Sequence, residues 1–558
     1  MSVRSWSSEA SDEAGRVQVR RRALSARAVD HEAHVLHVLT NEQMQGVDRE
    51  TIDTICPGLE LMERAGRNVA AFIRHTFEPE ARKAVVFTGP GNNGGDGLVI
   101  ARQLCEAGWR CSVHLLKSPD KFTPDAAKNY QRFKKVLEDN RDAREFDANR
   151  PDWPERAAED AIDADVLVDA IFGTGITGAP RGRALEMIGF ANSLSKPLVS
   201  VDIPSGVNGT TGETPGEAIV ADYTVTIGAP KMGLLFHPGR SCAGVVTVVD
   251  IGFPDQVIRK YAGEVYLLDR IEAACRLPFR SPDAHKFAAG ALLMIAGSDQ
   301  YRGAAMLAGE AALRIGCGML YLGVPASIRA AIDTGLREAI TFPLPETRQG
   351  TVSGDAWAAI APYLERADAV AIGPGMGRDE ETDRFIVDFV SRLEKPVVID
   401  ADGLTAFAGR SEVFASIKAP VVITPHSGEL KRLTGGEIPK SPPERIAKTT
   451  ELARSLGVTL VHKGAPSLVA APAGGLWINA SGSSALATGG TGDVLTGLVG
   501  GLLAQGAGPL DAACTACFLH GRAGESAAED HGVRGVIAGD LLVYLGEAVL
   551  ELEAIAGN

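Results

Sequence analysis

From about Leu39 onward, short apolar runs rich in Val and Ile alternate with longer stretches in which apolar residues recur every three to four positions. Runs of the first kind fit buried strands and the second kind fit amphipathic helices, so the pattern predicts an α/β protein. In the first half, residues 84–88, 166–170, 197–203 and 223–227 read as buried parallel strands, each leading into a loop rich in Gly, Ser or Asp. A second series follows at 291–296, 319–324, 369–372, 396–399, 420–423 and 459–462. Between them lies a weakly patterned stretch, 252–286, containing Pro254, Pro278 and Pro282, where the domain boundary is expected. In open α/β sheets the loops at the carboxyl ends of strands bind ligands, so each series predicts its own site. The division is a tail at 1–36, a first domain at 37–255, a linker at 256–266 and a second domain at 267–558.

Bulk properties narrow the class. The 558 residues, 45% hydrophobic and 23% charged, are enough for more than one buried core. A formal net charge of −14 disfavours nucleic acid and anionic membranes as main partners, while leaving room for small phosphate-bearing ligands held by local donors. No run reaches the roughly 20 apolar residues of a membrane span. Of eight cysteines only Cys514 and Cys517 have CxxC spacing, inside an apolar helical segment without a second metal-binding pair. Buried thiols in a reducing, cytoplasmic compartment are therefore expected. The first 36 residues mix Arg with Glu and Asp and have no apolar core of a signal peptide, which reads as a loosely attached tail.

The first half carries three glycine-containing loops at predicted strand ends. AVVFT runs into GPGNNGGDG, Gly89 to Gly97, and then into a helical pattern, so glycines allow close backbone approach to an anion at a helix start. The loop lacks the Lys-Ser/Thr pair of a Walker motif. Asn92, Asn93 and Asp96 add oxygen groups suited to hard cations or ribose hydroxyls. DAIFGTGITG places Asp169 at one strand end, and DIPSGVNG places Asp202 and Ser205 at another. A strand-end Asp can also be a mere helix cap. Together, in this order, the three motifs resemble the NAD(P)H-hydrate epimerase family over about residues 39–252. The resemblance implies a Rossmann-like three-layer domain that interconverts the R and S epimers of hydrated NADH and NADPH. It further implies a potassium ion on Asn93, Asp169 and Ser205, and substrate contacts from Asn92, Asn93, Gly94, Gly95, Asp96, Gly173, Thr174, Gly175, Ile176, Thr177, Gly178, Ala179 and Asp202. Epimerisation at a carbon bearing a hydroxyl beside a ring nitrogen needs proton transfer to oxygen, and Asp202 is the candidate acid and base. Lys231, in GAPKMG, either steers a phosphate, assists that transfer, or is a solvated surface lysine.

In the second half, GGTGDVLTG (Gly489 to Gly497) combines a glycine turn, a helix start and Asp493. An aspartate there can take a proton from a substrate hydroxyl while turn amides hold a transferring phosphoryl group. With GPGMG, DADGL, TPHSGE and HKGAPS in order, it resembles the ADP-dependent NAD(P)H-hydrate dehydratases over about residues 267–550. That resemblance implies a ribokinase-like α/β domain in which the S hydrate is phosphorylated from ADP, giving AMP, and then loses phosphate. Ala304, Gly377, His426 and Asp493 would contact the hydrate, with Asp493 as base. Lys463, Gly464, Ala465, Pro466, Ser467 and Gly492 would contact the nucleotide. Glu429 would help organise magnesium, with Asp400 and Asp402 as weaker candidates; His426 is otherwise a capping or core histidine. The family commonly has Gly after Lys where this chain has His285-Lys286-Phe287, which bears on loop conformation there. The rival readings are a small-metabolite kinase with a regulatory first half, and a non-catalytic scaffold. A homo-oligomer is expected from the resemblance. No residue distinguishes hydrated NADH from hydrated NADPH.

Overall fold

The computed structural model describes residues 35–175 and 178–557, so the tail up to residue 34 and the loop residues Ile176 and Thr177 lie outside the described residues. The first sheet has seven strands, β1 (Lys83–Thr88), β2 (Arg110–Leu115), β3 (Ala143–Asp147), β4 (Val166–Ala170), β5 (Leu198–Val201), β6 (Tyr223–Ile227) and β7 (Val245–Val249). Their order is β3-β2-β1-β4-β5-β6-β7, all parallel. Chain order reverses between β1 and β4, so the loops after these strands diverge and open a crevice between them. Every residue of β1 and β4 is buried, because helices cover both faces of the sheet. Helices Gly58–Phe77, Asn92–Glu106 and Pro124–Asp139 pack on one face, and Trp153–Ala161 with Arg183–Ser193 on the other.

The second sheet has ten strands: β8 (Val265–Leu268), β9 (Ala291–Ile295), β10 (Met319–Pro325), β11 (Ile340–Leu344), β12 (Ala369–Ile372), β13 (Val397–Ile399), β14 (Val421–Ile423), β15 (Thr459–His462), β16 (Leu468–Ala470) and β17 (Leu476–Asn479). They are ordered β11-β10-β9-β12-β13-β14-β15-β16-β17-β8. The pairs from β11 to β15 are parallel, β16 is antiparallel to both its neighbours, and β17 pairs parallel with β8. The chain is thus α/β throughout, as the pattern predicts.

The ten apolar runs read as strands all form strands, with ends shifted by no more than two residues. Seven further strands, β2, β3, β7, β8, β11, β16 and β17, were not legible in that pattern. β2 hides Ser112 and His114 in the core, and β3 and β7 are half-exposed, so neither gives a continuous apolar run. The weakly patterned stretch 252–286 holds helix Asp255–Tyr261, β8 and helix Arg270–Cys275, elements too short to show a period. Cys514 and Cys517 are buried free thiols in helix Pro509–His531, as expected. Among the described residues no helix is long and apolar enough to cross a membrane.

One short segment joins both sheets. Val38 N–H donates to Val265 O (2.9 Å) and Leu267 N–H to Leu36 O (2.8 Å), extending the second sheet beyond β8. Leu36, which the sequence reading gives to the tail, is therefore part of this ladder. The next residue but two, Leu39, bonds to Pro230 and Met232 in the first domain. Val38, Met232 and Phe236 are buried with Leu267, Leu468 and Leu476 in one cluster. Beside it Arg240 Nη2 donates to the carbonyls of Ala480 (2.8 Å) and Gly482 (2.9 Å), across the domain boundary.

Candidate active sites

The first site follows from the β1–β4 crevice. β1 ends at Thr88 and the helix begins at Asn92, so the loop turns within three residues. A Cβ at Gly94 would lie 1.8 Å from the carbonyl oxygen of Gly89, which is why this turn needs glycine. Asn93 Nδ2 donates to Phe172 O (2.9 Å), tying this loop to the one after β4. Asp169, fully buried, accepts from Ser205 Oγ (2.6 Å), Ser205 N (2.8 Å), Ser200 Oγ (2.9 Å) and Ile171 N (3.2 Å). Burial raises its pKa despite those donors. Asn93, Asp169 and Ser205 thus meet around the Phe172 backbone, since Phe172 N–H donates to Ser205 Oγ (2.8 Å). The cluster offers oxygen donors alone, the type that a hard cation takes.

Asp202 lies just beyond β5 in the left-handed backbone region, φ 67°. Such a conformation is uncommon for a residue with a side chain and is often found at functional sites. Its Oδ1 accepts from Ile227 N (3.1 Å) and from the ammonium of Lys231. Lys231 is 1% exposed and also donates to Ile227 O (2.6 Å) and Thr226 Oγ1 (3.2 Å), which rules out the solvated-surface alternative. A cavity of about 780 Å³ opens over these groups, walled by Asn92, Asn93, Asp96, Gly173, Thr174, Gly175, Asp202 and Lys231. Helix Asn41–Thr54 closes it and contributes Asp48, a residue the motif reading missed because its segment has no glycine loop. Burial pushes Asp96 well above the usual carboxylate range, and burial with Asp202 nearby pushes Asp48 to about 6. The segment of Gly178 and Ala179 does not appear in this wall, though Ala179 packs near Gly216.

A second hollow of about 870 Å³ lies at the opposite, amino-terminal ends of β1–β3. Its buried lysine is paired locally: Lys83 pairs with Asp160 (3.2 Å) and Asp163, and Arg110 with Asp163 (3.2 Å). We read it as a solvated surface, because the strand-end loops all face away from it.

In the second domain, Gly490 (φ 92°) turns the chain into helix Thr491–Ala504, whose first turn carries Gly492 and Asp493. Lys463, at the end of β15, donates to Asp400 Oδ1 (2.8 Å), and Thr496 Oγ1 donates to Asp400 Oδ2 (2.7 Å). Asp400 is 1% exposed with both oxygens engaged, which corrects its reading as a magnesium candidate toward an anchor for Lys463. A Cβ at Gly492 would lie 3.5 Å from Lys463 Nζ and 3.7 Å from Asp400 Oδ2, so the glycine turn faces this pair. Burial and the charge of Asp400 push Asp493 up to about 7 against the opposing pull of Lys463. Lys463 would be lowered by burial, but Asp400 and Glu429 outweigh this and keep its charge.

The remaining loops close on the same place. Gly377 (φ 74°) donates its N–H to Asp402 Oδ2 (2.9 Å), and a Cβ on neighbouring Gly375 would strike Ala304 at 2.7 Å. His426 is both a cap and an exposed ring: Nδ1 accepts from Gly428 N (2.9 Å), while Glu429 accepts from His426 N (2.8 Å). Glu429 lies 3.8 Å from Lys463, beside the glycine turn. The loop Gly464 to Ser467 is braced by Arg445, whose Nη2 donates to Pro466 O (3.0 Å). His520, missed in the sequence because it lies in an apolar helix, donates from Nε2 to Thr491 O (2.8 Å). Burial lowers its pKa to about 4, so it pins the turn as a neutral ring.

Two strand-end sites, one with a buried lysine–carboxylate pair and one with an aspartate at a glycine turn beside a lysine, define a two-domain α/β enzyme. Residues 58–233 match the family model for the YjeF-related protein N-terminus, and residues 292–546 match that for NAD(P)H-hydrate dehydratase. The chain belongs to the bifunctional NAD(P)H-hydrate repair enzymes, carrying epimerase and dehydratase in one polypeptide. It is 36% identical to the repair enzyme Nnr of Moorella thermoacetica over 521 residues, 93% of this chain and 97% of the relative. The Salinibacter ruber enzyme is 38% identical over 522 residues, 92% and 96% of the two chains. Among solved structures, the ADP/ATP-dependent NAD(P)H-hydrate dehydratase of Bacillus subtilis, co-crystallised with ATP/Mg2+, is 34% identical and covers 51% of this chain and 98% of its own, with a TM-score of 0.46.

Proposed function

We propose that the first domain interconverts the R and S forms of hydrated NADH and NADPH, and that the second returns the S form to the reduced nucleotide using ADP. In the first site Asp202, held by Lys231, moves the proton at the ring hydroxyl, and Asn92, Asn93 and Asp96 with Gly173, Thr174 and Gly175 line the substrate. Asn93, Asp169 and Ser205 would hold a potassium ion, which would supply positive charge at the crevice. In the second site Asp493 takes the proton from the ring hydroxyl as its oxygen attacks the terminal phosphorus of ADP; the bond to AMP breaks. The C–O bond to phosphate then cleaves, and loss of a ring proton restores the double bond. Lys463 and the Gly464 to Ser467 loop would bind the nucleotide, while Ala304, Gly377 and His426 bind the hydrate. Glu429 and Asp402 would hold magnesium, whose charge offsets that of the phosphates.

The observation that carries this reading is Asp493, at the anion-facing turn beside Lys463 and with a pKa raised to about 7, poised to exchange a proton near neutrality. Incubation with ADP, magnesium and each epimer of hydrated NADH tests it. Recovery of reduced-nicotinamide absorbance with release of AMP and phosphate is the expected result. Accumulation of a stable phosphorylated product would instead mark a kinase.

A further inference from the structure

The first-domain cavity holds a carboxyl group that the strand-end loops do not provide. Asp48 projects from helix Asn41–Thr54 into the same hollow as Asp96, Asp202 and Lys231. Its helix is fastened to the site itself: Asn41 N–H donates to Thr210 Oγ1 (2.9 Å) and Asn41 Nδ2 to Thr174 O (3.0 Å). Met44 and Val47 of the same helix are buried, so the face that carries Asp48 cannot rotate away.

Charge balance in the hollow then demands a proton. Three inner carboxyls, Asp48, Asp96 and Asp202, face one buried ammonium, Lys231, which is already bonded to Asp202. The other charged groups in the wall are Arg49 and Asp53, on the same helix, and Asp125 opposite. Arg49 is exposed, Asp53 is exposed, and Asp125 is engaged by Lys128 (3.2 Å). Like charges gathered in a poorly solvated space are relieved when one carboxyl keeps its proton. The elevated pKa of Asp48, about 6, agrees with this arrangement, burial being the larger cause and Asp202 adding to it against Lys231.

We propose that Asp48 is a second catalytic residue of epimerisation, the acid that works opposite the base Asp202. The inference rests on the epimerase reading above. Asp48 gives its proton to the ring hydroxyl; the C–O bond breaks with its electron pair leaving as water, and the ring-nitrogen lone pair forms a C=N bond. Water adds to the other face, the C=N pair returns to nitrogen, and the incoming water's proton goes to Asp202. Exchange with solvent restores both carboxyls, and the reverse epimerisation uses them in exchanged roles.

The test uses the full-length chain, with the dehydratase as internal control. If the wild type does not epimerise the R hydrate, the reading of the domain fails and this inference with it. If it does, Asp48→Asn should slow epimerisation by about 100-fold while leaving dehydration of the pure S hydrate unchanged. The wild-type rate should fall as pH rises above about 6, and the residual rate of Asp48→Asn should lack that fall. Asp48→Glu, which keeps the acid, should recover part of the rate. Asp48 is not the acid if Asp48→Asn epimerises within twofold of wild type, if its residual activity keeps the same fall with pH, or if dehydration declines in parallel.

Discussion

Asp493, the proposed base, shows how a buried carboxyl is held at the expense of stability. Its carboxyl has an ordinary pKa of 3.8 and a folded value of about 7. A carboxyl with a raised folded pKa binds its proton more tightly in the native state, so ionising it costs native stability. The penalty is absent below pH 4, grows as pH climbs toward 7, and is constant above. Asp493→Asn should therefore resist urea better than wild type at pH 8, with no difference at pH 4, while dehydration falls by roughly 10²–10⁴-fold. Equal urea midpoints at pH 8 would show that the carboxyl is solvated rather than buried. Strain at single residues repeats the theme. Asp202 (φ 67°) and Ala401 (φ 50°) are the positive-φ non-glycine residues among the described ones, and each stands beside a site carboxylate or is one. The sequence named Asp202 from its motif but gave no sign of Asp48, because an acidic residue on an amphipathic helix looks like any solvated position.

At the scale of elements, each site is a strand, a tight turn and a helix start. Turn geometry was legible because glycine spacing encodes it directly: GPGNNGGDG places Gly94 over the Gly89 carbonyl, where no side chain fits. Gly94→Ala must displace the start of helix Asn92–Glu106, which carries Asn92, Asn93 and Asp96. We expect a loss of about 1–3 kcal/mol in first-domain stability and loss of epimerase activity, with dehydratase activity kept; assays of both activities and urea unfolding check this. Central strands were equally legible, since burial on both faces makes them uniformly apolar. Strand β2 was not: its buried His114 accepts from Trp153 Nε1 (2.9 Å) and pairs with Asp160 (3.1 Å). Such residues read as polar in the sequence, and only their distant partners make them core.

At the scale of the whole molecule, the two domains are stitched by residues that local pattern assigns to neither. Arg240 reaches across from the first domain to hold the carbonyls of Ala480 and Gly482, while burial lowers its pKa. That segment leads into the turn at Gly489–Gly492. Arg240→Ala should remove two hydrogen bonds from a charged donor, each worth roughly 1.5–3 kcal/mol. Hydrogen exchange at residues 480–488 should speed up and the KM for ADP should rise, with the epimerase rate unchanged; unaltered exchange would show that the loop is held from within its own domain. The sequence by itself determined the α/β class, the central strands, the glycine turns and the loops that carry Asp169, Asp202 and Asp493, because these depend on spacing within a few residues of one another. Tertiary structure alone decided that Asp48 joins Asp202, that Asp400 anchors Lys463, and that Leu36 to Leu39 binds both sheets. Those pairings join residues tens to hundreds of positions apart, and no local period records which burial partner a distant side chain will meet.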